Sequence, residues 1–147
     1  MSKLRIITTS IFLLFAFQSM AVAQSTSFTE TFKKHFNETV QEVQQTESAD
    51  EKRMILNESF SKMIVAIDRI ESRANLFEDE IAQLQSYKLG IVEKQNELNG
   101  LDGFDEIVDE DLDNFSSFSQ DFIEQANRTV TIGVTTALLI LIILLLL

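Results

Sequence analysis

The sequence contains no cysteine, proline or tryptophan, and His35 is its only histidine among 147 residues. Without cysteine, a small exported domain has neither disulfides nor thiolate metal sites, so helix packing, self-association or a membrane must hold it together. His35 stands beside the Phe32 and Phe36 stripe, where a histidine at the edge of a core is usual. We therefore predict no Ser–His or Cys–His catalytic pair, no enzyme activity and no cofactor.

Glycine occurs at only four positions, so the chain can form long helices. From Phe60 to Leu98, ten of twelve heptad a and d positions are apolar, as in a seam that faces a partner helix. The exceptions, Lys88 and Gln95, are both at a positions, where a polar residue can select register or the seam can fray. The pattern predicts one long central helix, whose oligomer seam is Phe60, Met63, Ile67, Ile70, Ala74, Phe77, Ile81, Leu84, Ile91 and Leu98.

Shorter helical patterns flank this segment. A phenylalanine and valine stripe runs from Phe28 to Val43, and the capping box of Ser48 and Glu51 follows it, which predicts a turn back onto the central helix. Because no glycine or proline lies there, an unbroken helix is the alternative. The turn signal "NGLDG" at residues 99–103 precedes a third helix with Phe115, Phe118, Phe122 and Ala126 on one face, returning along the central helix. We expect an all-α fold, an antiparallel hairpin or three-helix bundle with a C-terminal transmembrane helix.

Both ends of the chain are apolar. Lys3 and Arg5, an apolar run over residues 11–17 and a small-residue site at residues 21–23 predict a signal peptide cleaved between Ala23 and Gln24. An uncleaved signal anchor is the alternative. From Val130 to Leu147 no residue is charged, and as a helix this segment would rise about 27 Å, enough to span a bilayer. We therefore expect a signal peptide at 1–23, a helical domain at 24–127 and a membrane anchor at 128–147, with Gly133 and Ala137 as a close-packing pair.

The chain is acidic, with a formal charge of −11 that becomes −13 when Lys3 and Arg5 are removed. This charge excludes nucleic acid as an expected partner, because phosphate binding needs a basic face. Seven carboxylates lie between Asp102 and Asp113. Among them, Asp109, Asp111 and Asp113 have the spacing that opens an EF-hand loop, but the glycine and glutamate that should follow are missing. They form only a weak metal candidate, and we expect a solvated acidic face.

Four N-x-Ser/Thr triplets, at Asn37, Asn57, Asn114 and Asn127, would be glycan acceptors in a eukaryotic secretory pathway. In that setting the apolar tail has an alternative role as a GPI-type signal, with cleavage near Ser117 or Ser119. The amphipathic spacing that continues through Phe118 and Phe122, together with the lack of cysteine, favours a retained anchor instead.

We expect an exported, membrane-anchored helical protein that acts through protein–protein contacts as a scaffold, tether or accessory subunit. The expected partners are the bilayer and either a second copy of the chain or another helical protein. The expected location is the periplasmic face of a bacterial inner membrane, or the cell surface in a eukaryote. The alternatives are a lipid-anchored surface protein whose tail is removed and a small membrane-active, pore-forming protein.

Overall fold

The computed structural model describes residues 28–126, which form an all-helical bundle. The helices are α1 (Phe28–Gln45), α2 (Ala49–Arg73), α3 (Glu78–Asn99) and α4 (Leu112–Ala126), and a 3-10 turn at Asp109–Asp111 precedes α4. Among the described residues there is no strand. The predicted helical bundle is confirmed, but it has four helices in this range instead of three.

The predicted long central helix is wrong, because the chain breaks between α2 and α3 and folds back on itself. Ala74, which follows α2, has extended backbone angles (φ −88°, ψ 143°). At the start of α3, the Glu80 carboxylate accepts a hydrogen bond of 2.9 Å from the Phe77 N–H, and acidic residues in the first turn stabilise the positive helix end. Heptad spacing suits two antiparallel helices as well as one long helix, so the pattern could not reveal this break.

Successive helices run antiparallel in an up-down-up-down arrangement. Asn57 of α2 pairs with Asn99 of α3, and Lys33 of α1 lies 3.5 Å from Glu124 of α4. α4 packs chiefly against α1, and α3 packs chiefly against α2. The last helix therefore returns mainly along α1, and its contacts with the predicted central segment, now α2 and α3, are fewer.

This topology gives the bundle two different ends. The termini end contains the start of α1, the end of α4 and the connection of residues 74–77 between α2 and α3. The loop end contains the short turn of residues 46–48 and the longer connection of residues 100–111 between α3 and α4. The predicted turn at Ser48 is confirmed, and the Ser48 hydroxyl caps α2 by accepting from the Glu51 N–H at 3.4 Å.

Contacts between aromatic rings join all four helices in the core. Phe36 of α1 stacks on Phe60 of α2 with ring centroids 5.3 Å apart, and Phe60 meets Phe115 of α4 edge-on at 6.4 Å. On the other side of the bundle, Tyr87 of α3 stacks on Phe122 of α4 at 6.2 Å. One continuous core therefore connects all four helices.

Most of the predicted seam lies inside this core. Seven of the ten residues have no exposed surface, namely Phe60, Met63, Ile67, Ile70, Leu84, Ile91 and Leu98. Ala74 and Ile81 are half-buried, whereas Phe77 is 73% exposed. The apolar spacing is thus satisfied within one chain. Self-association stays a prediction, and it would have to use a surface other than these seven side chains.

Lys88 and Gln95, the two polar residues at heptad position a, connect α2 to α3. Lys88 forms an ion pair with Asp68, and the Gln95 side-chain amide donates to Ser61 Oγ at 2.9 Å. Both contacts fit the antiparallel register of the Asn57 and Asn99 pair. The polar residues therefore mark where the two helices face each other, as a polar a residue does in a coiled coil.

Several predictions concern residues outside the described range. The signal peptide at 1–23, with its cleavage site at Ala23 and Gln24, lies before it, and the anchor at 128–147, with Gly133 and Ala137, lies after it. These predictions stay predictions. In residues 28–126, none of the helices combines the length and the hydropathy needed to cross a membrane.

Candidate interaction surface

Arg53, near the start of α2, holds the connection between α3 and α4 in place. Its guanidinium donates to the carbonyl oxygens of Leu98 and Ile107, each at 2.6 Å, and forms ion pairs with Glu106 at 3.1 Å and Asp109 at 3.2 Å. The Leu98 carbonyl belongs to the last turn of α3, where helix hydrogen bonds run out. One half-buried side chain thus joins α2, the end of α3 and the connection.

We call residues 100–111 the acidic-apolar loop. Its backbone turns sharply, with positive φ angles of 63° at Gly100, 55° at Asp102 and 90° at Gly103. Gly100 ends α3 in the left-handed conformation, where glycine is preferred, so the turn predicted from "NGLDG" is confirmed. The Asp102 conformation is uncommon for a residue with a side chain, although aspartate is among the types that tolerate it.

The acidic-apolar loop exposes apolar side chains among carboxylates. Leu101 is 54% exposed, Phe104 36% and Val108 55%. The loop also carries six exposed carboxylates, those of Asp102, Asp105, Glu106, Asp109, Glu110 and Asp111. Large apolar side chains at the surface are informative when they cluster, because water disfavours them and a partner can cover them. The combination indicates a surface for a partner that is both apolar and basic.

The three aspartates of the weak metal candidate differ in their surroundings. Asp109 contacts Arg53, and both carboxylate oxygens of Asp113 accept from the Lys52 ammonium at 2.7 Å. Asp111 is exposed in the 3-10 turn. Within residues 28–126, no group of three or more histidine, cysteine, aspartate or glutamate side chains is arranged to hold a metal ion. Two of these carboxylates instead fasten the loop and α4 to α2.

A polar cleft of about 170 Å³ lies between α1 and α2. At its base, Ser59 Oγ lies 2.8 Å from Thr39 Oγ1 and 3.4 Å from His35 Nε2. His35 and Ser59 therefore lie within hydrogen-bonding distance of each other, a contact that the sequence did not reveal, and the absence of a catalytic Ser–His pair stays a prediction. His35 and Ser59 each precede a core phenylalanine, and the stacking of Phe36 on Phe60 brings them together.

The chemistry of this cleft is that of a packed helix contact. Ser59 is 4% exposed and lies in the middle of α2, where backbone N–H groups are committed to helix hydrogen bonds and cannot stabilise an oxyanion. Burial lowers the pKa of the His35 imidazole below its ordinary value, the nearby Lys62 charge lowers it further, and Glu38 opposes them. Burial and the Lys62 charge thus favour the neutral form of the imidazole. That the protein is not an enzyme stays a prediction.

The asparagines of the N-x-Ser/Thr triplets differ in how free their side chains are. The Asn37 side-chain oxygen accepts from the Gln120 amide at 2.7 Å, and the Asn57 amide exchanges hydrogen bonds with Asn99. Asn114 is exposed, and Asn127 lies outside the described residues. A glycan on Asn37 or Asn57 would disturb a contact between helices, so Asn114 is the most compatible with modification of the three triplets within residues 28–126.

Sequence reasoning missed the residues that shape this surface. Arg53 and Lys52 form a basic pair in an acidic chain, and this pair was the available signal. The prediction treated residues 102–113 as a solvated acidic face and gave no weight to the apolar residues inside it. Comparisons with protein-family models, curated proteins and solved structures found no match.

Proposed function

We propose that this protein is an exported helical bundle, anchored in a membrane by its C-terminal segment, that works as a scaffold or tether through protein–protein contacts. The acidic-apolar loop is the surface that meets the partner. The observation that carries the proposal is the exposure of Leu101, Phe104 and Val108 on a loop that Arg53 holds in place.

The loop has the features of a preorganised binding surface. Because Arg53 already holds the loop at the Ile107 carbonyl and at two carboxylates, binding does not have to order the whole connection, and less conformational entropy is lost. The three apolar side chains supply area that a partner can bury, while the surrounding carboxylates select a partner with a basic rim. We infer a partner surface with an apolar centre and flanking lysine or arginine residues.

The two-ended topology supports the anchored arrangement. Both apolar segments of the sequence join the bundle at the termini end, and the acidic-apolar loop is at the other end of α3. α3 has 22 residues, so the two ends are separated by about 33 Å. A bundle attached at the termini end therefore presents the loop away from the membrane.

The packing of α4 supports a retained tail over a removed one. Ser117 and Ser119, the GPI-type cleavage candidates, lie within α4. Cleavage there would remove Phe122, which contacts Tyr87, and Ile123, which is 1% exposed. A lipid-anchored product ending at Ser117 would thus lose part of its core.

The test is photocrosslinking of the full-length protein in its native membrane. A photoreactive amino acid replaces Val108 in one variant and Leu89, which is 68% exposed on α3, in the control. The Val108 probe is then combined with Asp105→Asn and Glu110→Gln, which neutralise loop carboxylates that do not contact Arg53. The matched charge control is Glu93→Gln with Asp121→Asn on α3 and α4, where both residues are exposed.

We expect a specific crosslinked product from position 108 and not from position 89. Its yield should fall with the two loop neutralisations and remain with the control pair. Equal products from both probe positions, or a yield that does not respond to the loop carboxylates, would overturn the assignment of this loop as the partner surface.

A further inference from the structure

The connection between α2 and α3, residues 74–77, is the part of the described chain that extends furthest at the termini end. We infer that this hairpin tip lies against the lipid surface and that the Phe77 ring inserts among the headgroups of a zwitterionic bilayer. The inference rests on the proposed membrane anchor and adds a second contact between the bundle and the same membrane.

The relative positions of α3 and α4 follow from two contacts. Lys94 Nζ lies 4.5 Å from the centre of the Phe118 ring, and Gly90 faces the ring of Phe122. The two contact residues of α3 are four apart, as are the two of α4. The residue number falls along α3 from one contact to the other while it rises along α4. α3 and α4 are therefore antiparallel, with these pairs at the same level along the bundle.

This register makes the hairpin tip project past α4. α4 ends at Ala126, four residues after Phe122. The same distance from Gly90 in α3 leads back to Ser86, so Ser86 and Ala126 are level along the bundle. α3 continues for eight more residues, from 86 back to its start at 78. At the rise of an α-helix, this is about 12 Å. The hairpin tip thus extends about 12 Å beyond the end of α4.

The chain leaves little room between α4 and the apolar segment. Only residues 127–129 separate Ala126 from Val130, where the uncharged segment begins. The four steps from 126 to 130 cover about 6 Å if they are helical and about 14 Å if they are fully extended. A projection of about 12 Å therefore brings the hairpin tip to the level at which the anchor enters the bilayer.

The chemistry of the hairpin tip suits this position. Phe77 is 73% exposed, more than any other large hydrophobic side chain among residues 30–125. It also occupies the N-cap of α3, where serine, threonine, aspartate or asparagine would cap the helix better. An exposed phenylalanine at a cap position is unfavourable in water, and a lipid interface removes the cost of exposing the ring.

The charges around Phe77 define the kind of lipid. Arg73 is exposed at the end of α2 and can reach a headgroup phosphate, while Glu78 and Asp79 are exposed at the start of α3. This mixed set, in a chain of net charge −11, disfavours a strongly anionic surface. A zwitterionic headgroup, which carries both signs, fits the hairpin tip best.

The experiment uses the absence of tryptophan from the chain. Phe77→Trp in the full-length protein creates a single tryptophan at an exposed position, which can be excited selectively over Tyr87. The protein is reconstituted in phosphatidylcholine vesicles with and without brominated acyl chains, which quench tryptophan on contact. Leu101→Trp, at the loop end, is the matched control. Ile143→Trp, within the apolar segment, reports separately whether the anchor is in the bilayer.

We expect brominated lipid to remove most of the fluorescence of the Phe77→Trp and Ile143→Trp variants and little of that of Leu101→Trp. The Phe77→Trp emission should also shift to shorter wavelength in vesicles. Quenching at position 143 without quenching at 77 would overturn this inference and leave the anchor intact. No quenching at 143 would overturn the proposed anchor, and this inference with it.

Discussion

At the scale of single residues, Arg53 and His35 connect parts of the chain that are distant in sequence. The Arg53 guanidinium supplies hydrogen bonds to two carbonyl oxygens and contacts two carboxylates, so it acts as a fixed fork that lysine cannot reproduce. His35 instead lies in a packed contact beside Thr39 and Ser59. For each residue we predict how a substitution changes the stability of the fragment 24–127, which is the helical domain without the two apolar segments.

Arg53→Ala should lower the free energy of unfolding of this fragment by about 2 kcal/mol, because two half-buried carbonyl oxygens lose their charged donor. Arg53→Lys should recover only part of the loss. Urea unfolding measures both, and Lys62→Ala is the control, since its pair with Glu58 is exposed and screened by water and so contributes little to stability. Equal losses of unfolding free energy for Arg53→Ala and Lys62→Ala would contradict the role of Arg53 in holding the connection between α3 and α4.

The His35 contact predicts a dependence of stability on pH. The pKa of His35 is lowered in the folded state, so below the ordinary value of 6.5 the unfolded chain takes up a proton that the folded chain resists. The contribution of neutral His35 is therefore fully present above about pH 6.5 and is lost as the pH falls towards the folded-state pKa.

Urea midpoints of the fragment, measured between about pH 7.5 and about pH 5.5, should fall more steeply with acidification for the natural chain than for His35→Gln. Glutamine keeps a polar side chain at the position but does not titrate. Identical slopes for the two proteins would mean that His35 protonation does not oppose folding.

At the scale of helices, local patterns predicted the elements better than their pairing. The stripe from Phe28 to Val43 identified α1, and "NGLDG" located the end of α3. The heptad pattern gave the inner faces of α2 and α3 but could not show the break, because cap contacts at Phe77 and Glu80 decide it. The 3,4 spacing is the same for an intramolecular and an intermolecular seam.

The inner face of α4 was predicted only in part: Phe115 and Phe122 pack in the core, but Phe118 does not, and the small polar residues were overlooked. The prediction followed the phenylalanines, yet Phe118 is 56% exposed and lies under Lys94. Ser116 and Ser119 are buried instead, and their small side chains allow α4 to lie close to its neighbours. Ser116 can be buried because its hydroxyl donates to the Asp113 carbonyl at 2.8 Å.

Gly90 provides a test of the packing between α3 and α4. A Cβ atom at this position would overlap the ring of Phe122, which stacks on Tyr87. Gly90→Ala should gain about 1 kcal/mol in helix propensity and lose about 1–3 kcal/mol through overpacking. We therefore predict a net loss of stability of about 1 kcal/mol, measured by urea unfolding.

The matching experiment places Gly90→Ala in a Phe122→Ala background, where the ring is absent. There the substitution should stabilise the fragment by about 1 kcal/mol, since only helix propensity remains. The difference between the two backgrounds measures the coupling of the two residues. The same effect in both backgrounds would show that Gly90 does not make room for Phe122.

At the scale of the whole molecule, the described bundle contains a complete core. Its two ends differ, because one contains the start of α1 and the end of α4 and the other contains the acidic-apolar loop. The fragment 24–127 should therefore fold without the apolar segments, giving a helical circular dichroism spectrum and a cooperative urea transition. Sedimentation of the same sample would show whether it self-associates. An unfolded fragment would mean that the membrane segments are needed to form the bundle.

The sequence predicted the helical class, the polar a positions and the acidic segment, but not which end each feature occupies. That information depends on the number of helices, because a fourth helix places the start of α1 and the end of α4 together and the acidic-apolar loop opposite them. The hypothesis of an anchored tether becomes specific only with this geometry. It assigns the hairpin tip with Phe77 to the membrane and the loop with Phe104 to a partner.

The most direct test of the anchored, exported bundle is the intact mass of the protein extracted from its native membrane. We predict the mass of a chain that begins at Gln24 and ends at Leu147, which would mean that the signal is cleaved and the apolar tail is retained. A product that ends near Ser117 and carries additional mass would contradict the account, because the tail would then have been replaced by a lipid anchor.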